Sequence, residues 1–270
     1  MEKTLSLRGL FRISRPINLL LIAFAQGMTA YFLVETSDLD SPVFNIKGTE
    51  AHHALRVRRV REKEKLVVTD GYGLVADVEV LAIGPDDQVT VKVIGKKTKA
   101  KKKPTVSVAQ ALAKGERSDL AIESLTEVGV DEIIPWQANR CIVKWDDKSE
   151  KGVEKWKQIS RESSKQSRRA FFPEITNCLD SKKLVGIFKD YSKVIVLDPD
   201  STVLFTDLVE QITEDVLLII GPEGGIEESE MQLFSNNGAL SATLGETILR
   251  TSTAGGISAA ILLSKTRWIN

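Results

Sequence analysis

The sequence predicts an α/β protein in two unlike parts: a small N-terminal β-barrel, then a larger domain around a mostly parallel sheet. Three observations predict it. Residues 28–95 alternate short β-type runs with turn signals. From Val106 onward strand-like and helix-like segments alternate, the pattern of a parallel sheet flanked by helices. Between them Lys96, Lys97, Lys99, Lys101, Lys102 and Lys103 crowd the positions before Pro104, marking a boundary. With 270 residues and 42% hydrophobic content, the chain can bury a core in one large or two ordinary domains.

In the first part, Tyr31 to Val34, Leu66 to Thr69, Val75 to Ile83 and Val89 to Ile94 read as strands, punctuated by Asp70-Gly71 and Gly84-Pro85-Asp86-Asp87. Residues 51–61 carry Leu55 and Val57 among four arginines and read as a short helix with an arginine-rich face. Residues 96–104 read as a linker kept extended by charge repulsion or as a phosphate-contacting segment. Over residues 105–270 the expected strands are Thr105 to Leu112, Glu132 to Trp136, Val194 to Leu197, Val216 to Ile220 and Ala239 to Leu244. Helices are expected over Glu116 to Val128, Glu150 to Arg169, Ser181 to Tyr191 and Ser252 to Ser264, and no internal repeat is present.

Net charge is zero, yet residues 1–103 carry an excess of six positive charges and residues 104–270 an excess of six negative ones. The basic half is the expected polyanion contact. Cys141 and Cys178 form no C-x-x-C pair and read as reduced core thiols of a cytoplasmic protein. His52 and His53 stand apart from any other ligand cluster, so no metal site is expected. Residues 1–27 conflict with this picture. Lys3, Arg8, Arg12 and Arg15 precede an apolar stretch ending in Ala23-Phe24-Ala25, and Pro16 to Val34 carries no charge. A signal peptide, an anchor and a start mis-assigned upstream of Met28 all remain open. Asn18, Gln26 and Gly27 interrupt the stretch and argue against a membrane helix.

Two glycine-bearing segments carry the chemistry. Gly221-Pro222-Glu223-Gly224-Gly225 follows the apolar run Val216 to Ile220, and Leu244-Gly245-Glu246-Thr247-Ile248-Leu249-Arg250 precedes the last helix. Glycine lets a ligand approach the backbone, and loops leaving strands of open α/β sheets are where small ligands bind. The first loop reads equally as a tight strand-to-helix turn, with Glu227, Glu228 and Glu230 favouring a helix N-terminus. Neither the dinucleotide fingerprint nor a phosphate-binding G-x-x-x-x-G-K-[ST] loop is present, which argues against nucleotide-phosphate chemistry.

Taken in order, Gln110 to Arg117, Thr126 to Val130, Arg140 with Lys144, Gln166 to Arg169, GPEGG and LGETILRTSTA resemble the 16S ribosomal RNA uridine-N3 methyltransferases of the RsmE type. That family belongs to the SPOUT superfamily. The resemblance runs from about residue 30 to the C-terminus. It implies a PUA-like RNA-binding barrel over 28–95 and a SPOUT methyltransferase domain with a C-terminal trefoil knot over 105–270. It also implies S-adenosylmethionine as cofactor, 16S rRNA or the small ribosomal subunit as substrate, and a homodimer.

Residue by residue, the resemblance implies cofactor contacts from Leu197, Pro199, Ile220, Gly221, Pro222, Glu223, Gly224, Gly225, Leu244, Gly245, Ile248, Leu249 and Arg250. For RNA it implies His53, Arg56, Arg59, Arg140, Arg168 and Arg169. Arg161 and Lys165 join these on the expected polar helix. The chain departs from the family at Arg58, Lys165 and Ser252. Methylating N3 of uracil needs loss of the imide proton and support for the resulting anion. Arg250 either neutralises charge on a uracil oxygen or pairs with a helix end. Glu223 either accepts the proton or bonds the N–H groups of its own loop. The rival classes are a non-catalytic RNA-binding protein on the same fold and a membrane-anchored protein using residues 1–27.

Overall fold

The computed structural model describes residues 30–269 apart from Asp86 and Gln211. The signal, anchor and alternative-start readings of residues 1–27 and Met28 lie outside them. The N-terminal part contains β1 (Phe32–Leu33), β2 (Val43–Ile46), the short helix α1 (Gly48–His52), β3 (Lys65–Thr69), β4 (Leu74–Gly84) and β5 (Gln88–Thr98). They form one sheet in the order β1-β3-β4-β5-β2. The expected barrel is a curled sheet whose ladder ends at β1 and β2 among the described residues. The curl comes from the long β4–β5 hairpin, whose register shifts between Asp77 and Val78 and between Val80 and Ala82. Such irregularities bend a strand and sharpen its twist. Leu39, Leu66, Val68, Val78, Val80, Val89 and Val91 fill the space inside.

Two features differ from expectation. β5 continues through Lys96, Lys97 and Thr98, which pair with Ala76, Val75 and Leu74. Hairpin pairing outweighs the repulsion at the start of the lysine run, and Lys96 Nζ donates to the Leu39 carbonyl. The arginine-rich helix starts at Gly48 and widens into a π-turn over His53–Val57. Arg59 then takes a positive φ of 53°, which a right-handed helix cannot continue.

The second sheet is wholly parallel. Its elements are β6 (Val106–Ala111), α2 (Glu116–Val128), β7 (Glu132–Trp136), α3 (Ser149–Gln166), β8 (Glu174–Ile175), α4 (Ser181–Gly186), β9 (Lys193–Leu197), α5 (Phe205–Val209), β10 (Val216–Ile220), α6 (Glu228–Asn236), β11 (Leu240–Ala242) and α7 (Thr251–Thr266). Strand order is β11-β9-β10-β6-β7-β8. β6 and β10 are buried along their whole length, which explains unbroken runs such as Val-Leu-Leu-Ile-Ile. Helix α2 packs against α3 and α7. It ends where Gly129 adopts φ 110°. Helix α3 stops at Gln166, three residues short of the expected end, because Arg168 takes φ 56°.

The two sheets are joined through the last turn of α3 and the segment that follows it. Lys165 Nζ contacts Glu50 Oε1 at 2.7 Å with side chains only 5% and 7% exposed, and Glu50 Oε2 accepts from the Leu33 amide. Tyr31 N donates to the Lys165 carbonyl, Gly73 N to Ala170, and Phe172 N to Gly71. Lys165, expected on an RNA-facing helix surface, is therefore a buried structural cation. Removing one partner of a buried pair strands the other charge at a cost of about 3–5 kcal/mol. Lys165→Met should lower unfolding free energy by about that much in urea denaturation. Lys165→Met with Glu50→Gln should recover most of the loss; a double variant no better than the single would contradict this account.

Candidate active site

Parallel strands deliver their loops to one edge of a sheet, the edge at their carboxyl ends. Here β10 lies between β6 and β9 with Ile220 aligned to Gln110 and to Leu197. On the far side of β9, Ala242 of β11 aligns with Leu197 as well. The segments leaving β9, β10 and β11 therefore start side by side and wall a cleft of about 710 Å³. Leu197, Pro199, Ile220, Gly221, Pro222, Glu223, Gly224, Gly225, Leu244, Ile248, Leu249 and Arg250 all line it. Gly245 does not: it sits at φ 149° with its amide and carbonyl turned to the Thr243 hydroxyl.

Each wall is fixed locally. Pro222 O accepts from the Gly225 amide, closing a turn that needs the positive φ of 73° at Gly225. Gly221 leaves no room for a side chain, since a Cβ there would stand 2.7 Å from Ile226 Cγ1. The turn runs into α6, whose start is capped reciprocally by Glu227 and Glu230. Glu230 is 2% exposed, accepts from the Asn139 amide at 2.9 Å and from the Ser181 hydroxyl, and so carries the 138–141 loop to the cleft. Asn139 Nδ2 also reaches Glu227 Oε2 at 2.6 Å. The second wall is tied to the first by Thr251, whose hydroxyl donates to the Gly221 carbonyl at 2.9 Å. Beneath it, buried Gln110 donates through Nε2 towards the Thr251 carbonyl at 3.4 Å.

The lining is apolar with charges at its margin. Leu197, Ile220, Leu244, Ile248 and Leu249 supply the slot, and Ile248 is 80% exposed. Arg117, Arg140, Asp198, Asp200, Glu223 and Arg250 bring charge. Among the described hydrogen bonds Glu223 accepts none from the N–H groups of its own loop; its carboxylate faces Arg117 Nη1 at 3.9 Å. Arg250 is the N-cap of α7, where its exposed cation adds to the positive end of the helix. Three arginines face three carboxylates, so the rim carries both signs, with Arg250 set at the positive end of α7.

The expected RNA residues divide. Arg140, expected on the RNA surface, lines the cleft and points Nη1 at the Gly224 carbonyl, 3.4 Å away. Arg56 and His52 both face Asp87, at 3.1 and 3.5 Å, and Arg59 is exposed beside them. His53 is half-buried, its ring edge-on to Phe32 at 6.0 Å. Arg168 is exposed and Arg161 also. Arg169 is a correction: its Nε, Nη1 and Nη2 donate to the carbonyls of Phe171, Thr126 and Val130 at 2.6–2.8 Å. Burial pulls its pKa down to about 10, so it remains a cation at neutral pH and anchors backbone rather than phosphate.

Sequence reasoning missed Arg117 and the Asn139–Glu227–Glu230 network. Arg117 stood in a quoted motif without a role, whereas the network joins positions some 90 apart and has no local signal. Burial raises the thiol pKa of both Cys141 and Cys178, the latter to about 11, which keeps them protonated and weakly nucleophilic. Among the described residues no group of His, Cys, Asp and Glu is placed to hold a metal. Nor is any helix there long and apolar enough to cross a membrane.

Residues 100–263 match the RNA methyltransferase domain family, and residues 46–94 match the RNA methyltransferase PUA domain. The chain is 36% identical over 243 residues to ribosomal RNA small subunit methyltransferase E of Mycobacterium bovis, covering 88% of this chain and 92% of that one. The chain belongs to this methyltransferase family. The Bacillus subtilis protein of the same name is 31% identical over 84% of this chain and 93% of its own. A Legionella pneumophila methyltransferase structure, solved with bound cofactor SAM, superposes with a TM-score of 0.78 at 27% identity, over 88% and 97% of the two chains.

The tight fit at Gly221 generates a stability test. Gly221→Ala should cost about 1–3 kcal/mol, the usual range for overpacking, read as a lowered melting temperature. Adding Ile226→Ala should return part of it. No change from Gly221→Ala would mean that the turn is looser than its contacts indicate.

Proposed function

We propose that the protein transfers the methyl group of S-adenosylmethionine to N3 of a uridine in the 16S rRNA of the small ribosomal subunit. The observation that carries the reading is the single cleft formed by the GPEGG turn and the LGETILR segment in a chain of this family. Its volume lies within the range of about 300–1,000 Å³ usual for small-molecule sites. The residues present fit the cofactor. An adenosine and a sulfonium require an apolar slot with backbone hydrogen-bonding groups and no strong anion cage. The aliphatic side chains and the glycine turn supply that slot, with Leu197, Ile220, Leu244 and Leu249 as its apolar walls. The bound S-adenosylmethionine of the Legionella structure supports the same assignment.

S-adenosylmethionine, when bound, supplies an electrophilic methyl on a positively charged sulfur. The protein's own residues prepare the acceptor. Uracil N3 becomes nucleophilic as its proton leaves and negative charge spreads to the flanking carbonyl oxygens. Arg250, reinforced by the N-terminus of α7, stabilises that charge, and such preorganised support is typically worth about 10²–10³ in rate. Glu223, whose carboxylate faces Arg117 Nη1 at 3.9 Å on the cleft wall, accepts the proton. The tie from Thr251 to Gly221 holds the two groups on facing walls.

The wider reading assigns RNA capture to the 28–95 part through Arg56, Arg59 and His53, with residues 96–104 as a basic connection and 105–270 as the methyltransferase domain. It includes a C-terminal trefoil knot, supported by a chain that leaves β10 for the outer strand β11 and returns through α7 to bond Gly221. A homodimer is supported by exposed Ile257, Trp268 and Ile269 on and after α7, and a cytoplasmic site by the ribosomal substrate.

Small subunits incubated with purified protein and S-adenosylmethionine, then analysed by nucleoside mass spectrometry, should gain one N3-methyluridine. Arg250→Ala should reduce kcat about a hundredfold, exceeding any loss in cofactor affinity. Methylation at another atom, or none by the wild type, would overturn the assignment.

A further inference from the structure

Tyr72 is 82% exposed, an unusual position for a large aromatic side chain on an ordered loop. The loop is held from every side. Buried Asp70 accepts from the amides of Tyr72 and Leu74 through Oδ1, at 2.8 and 3.0 Å, and from the Thr36 hydroxyl through Oδ2. Gly71 and Gly73 bond to the segment after α3, and Tyr72 itself bridges to Phe171. A Cβ at Gly73 would lie 2.4 Å from the Phe171 ring, so the flanking phenylalanines occupy the inner side while Tyr72 is left in solvent. Packing therefore explains both neighbours of Tyr72 and not Tyr72.

Exposed cations from two sequence regions adjoin this loop. Arg168 lies three residues before Phe171, exposed and at a positive φ of 56°. On the other side Lys99 N donates to the Gly73 carbonyl at 2.8 Å, and Lys97 pairs with Val75, both side chains exposed. An exposed aromatic on a rigid loop between cations of two sequence regions combines a stacking face with phosphate contacts. That is the chemistry of single-stranded nucleic acid binding.

We infer that Tyr72 stacks an unpaired base of the RNA substrate at the junction of the two sheets, with Arg168 and Lys99 holding the adjoining phosphates. The inference rests on the reading of the substrate as RNA and adds a stacking residue that the arginine-based picture lacked. Prior ordering of the loop removes most of the entropic cost of presenting the ring.

The test is fluorescence anisotropy of the full chain with a fluorescein-labelled, unstructured RNA 15-mer across a salt series. Tyr72→Ala should weaken binding roughly tenfold, whereas Tyr72→Phe should bind like wild type because the π-face is kept. Since Tyr72 touches no phosphate, Tyr72→Ala should leave the slope of log affinity against log salt unchanged, while Arg168→Ala should reduce it by about 0.7. S-adenosylmethionine affinity should be unaffected by all three, which separates a lost contact from a lost fold. Equal binding by Tyr72→Ala and wild type, or equal loss in Tyr72→Phe and Tyr72→Ala, would overturn the stacking role alone. Wild-type protein with no affinity for RNA would overturn the RNA reading and this inference together.

Discussion

The register of β10 is the constraint on which the rest of the cleft depends. All five of its residues are buried, and it pairs on both sides with parallel strands. Side chains alternate faces along a strand, so a slip of one residue would turn every side chain of β10 over and break both ladders. That specificity places the Gly221 turn beside the end of β9 and level with Gln110 of β6. Three loops meet because three neighbouring strands end together.

Helix α7 converts this alignment into a rigid site. Its first residue bonds the GPEGG turn through the Thr251 hydroxyl. At its far end Arg267 reaches Asp131 at 3.0 Å with both side chains nearly buried, and its Nη2 donates to the Gly129 carbonyl. Asp131 in turn accepts from the Val106 amide at the start of β6. Both ends of the helix are therefore fastened to the sheet that bears the cleft. Arg250 stands at the helix terminus where a cation is electrostatically disfavoured. Local rules of stability are often broken at functional positions, and Arg250 fits that pattern.

Much of this was legible in the sequence because it depends on local pattern. Glu116–Val128, Glu132–Trp136 and Val216–Ile220 have the expected bounds, each set by strong periodicity or an unbroken apolar run. The cleft walls were legible through the family resemblance, since the GPEGG loop alone reads equally as a tight strand-to-helix turn. What the sequence hid depends on distant partners. Arg169 looks like any surface arginine until the carbonyls of Thr126 and Val130 appear around it. Lys165 looks solvated until Glu50, 115 positions away, closes on it. Strands β2 and β8 escaped notice because they are short and take their order from neighbours. Lys96 and Lys97, the first two of the lysine run, are strand because β4 supplies their partners.

The central claim is that the GPEGG turn and the LGETILR segment form two walls of one cofactor pocket. Amide hydrogen exchange with and without saturating S-adenosylmethionine tests it most directly. The account predicts slowed exchange in both 221–226 and 244–254. It predicts no change around the separate cavity of Lys189, Lys193 and Gly238 at the opposite ends of β9 and β11. Protection confined to one wall, or centred on that second cavity, would contradict it.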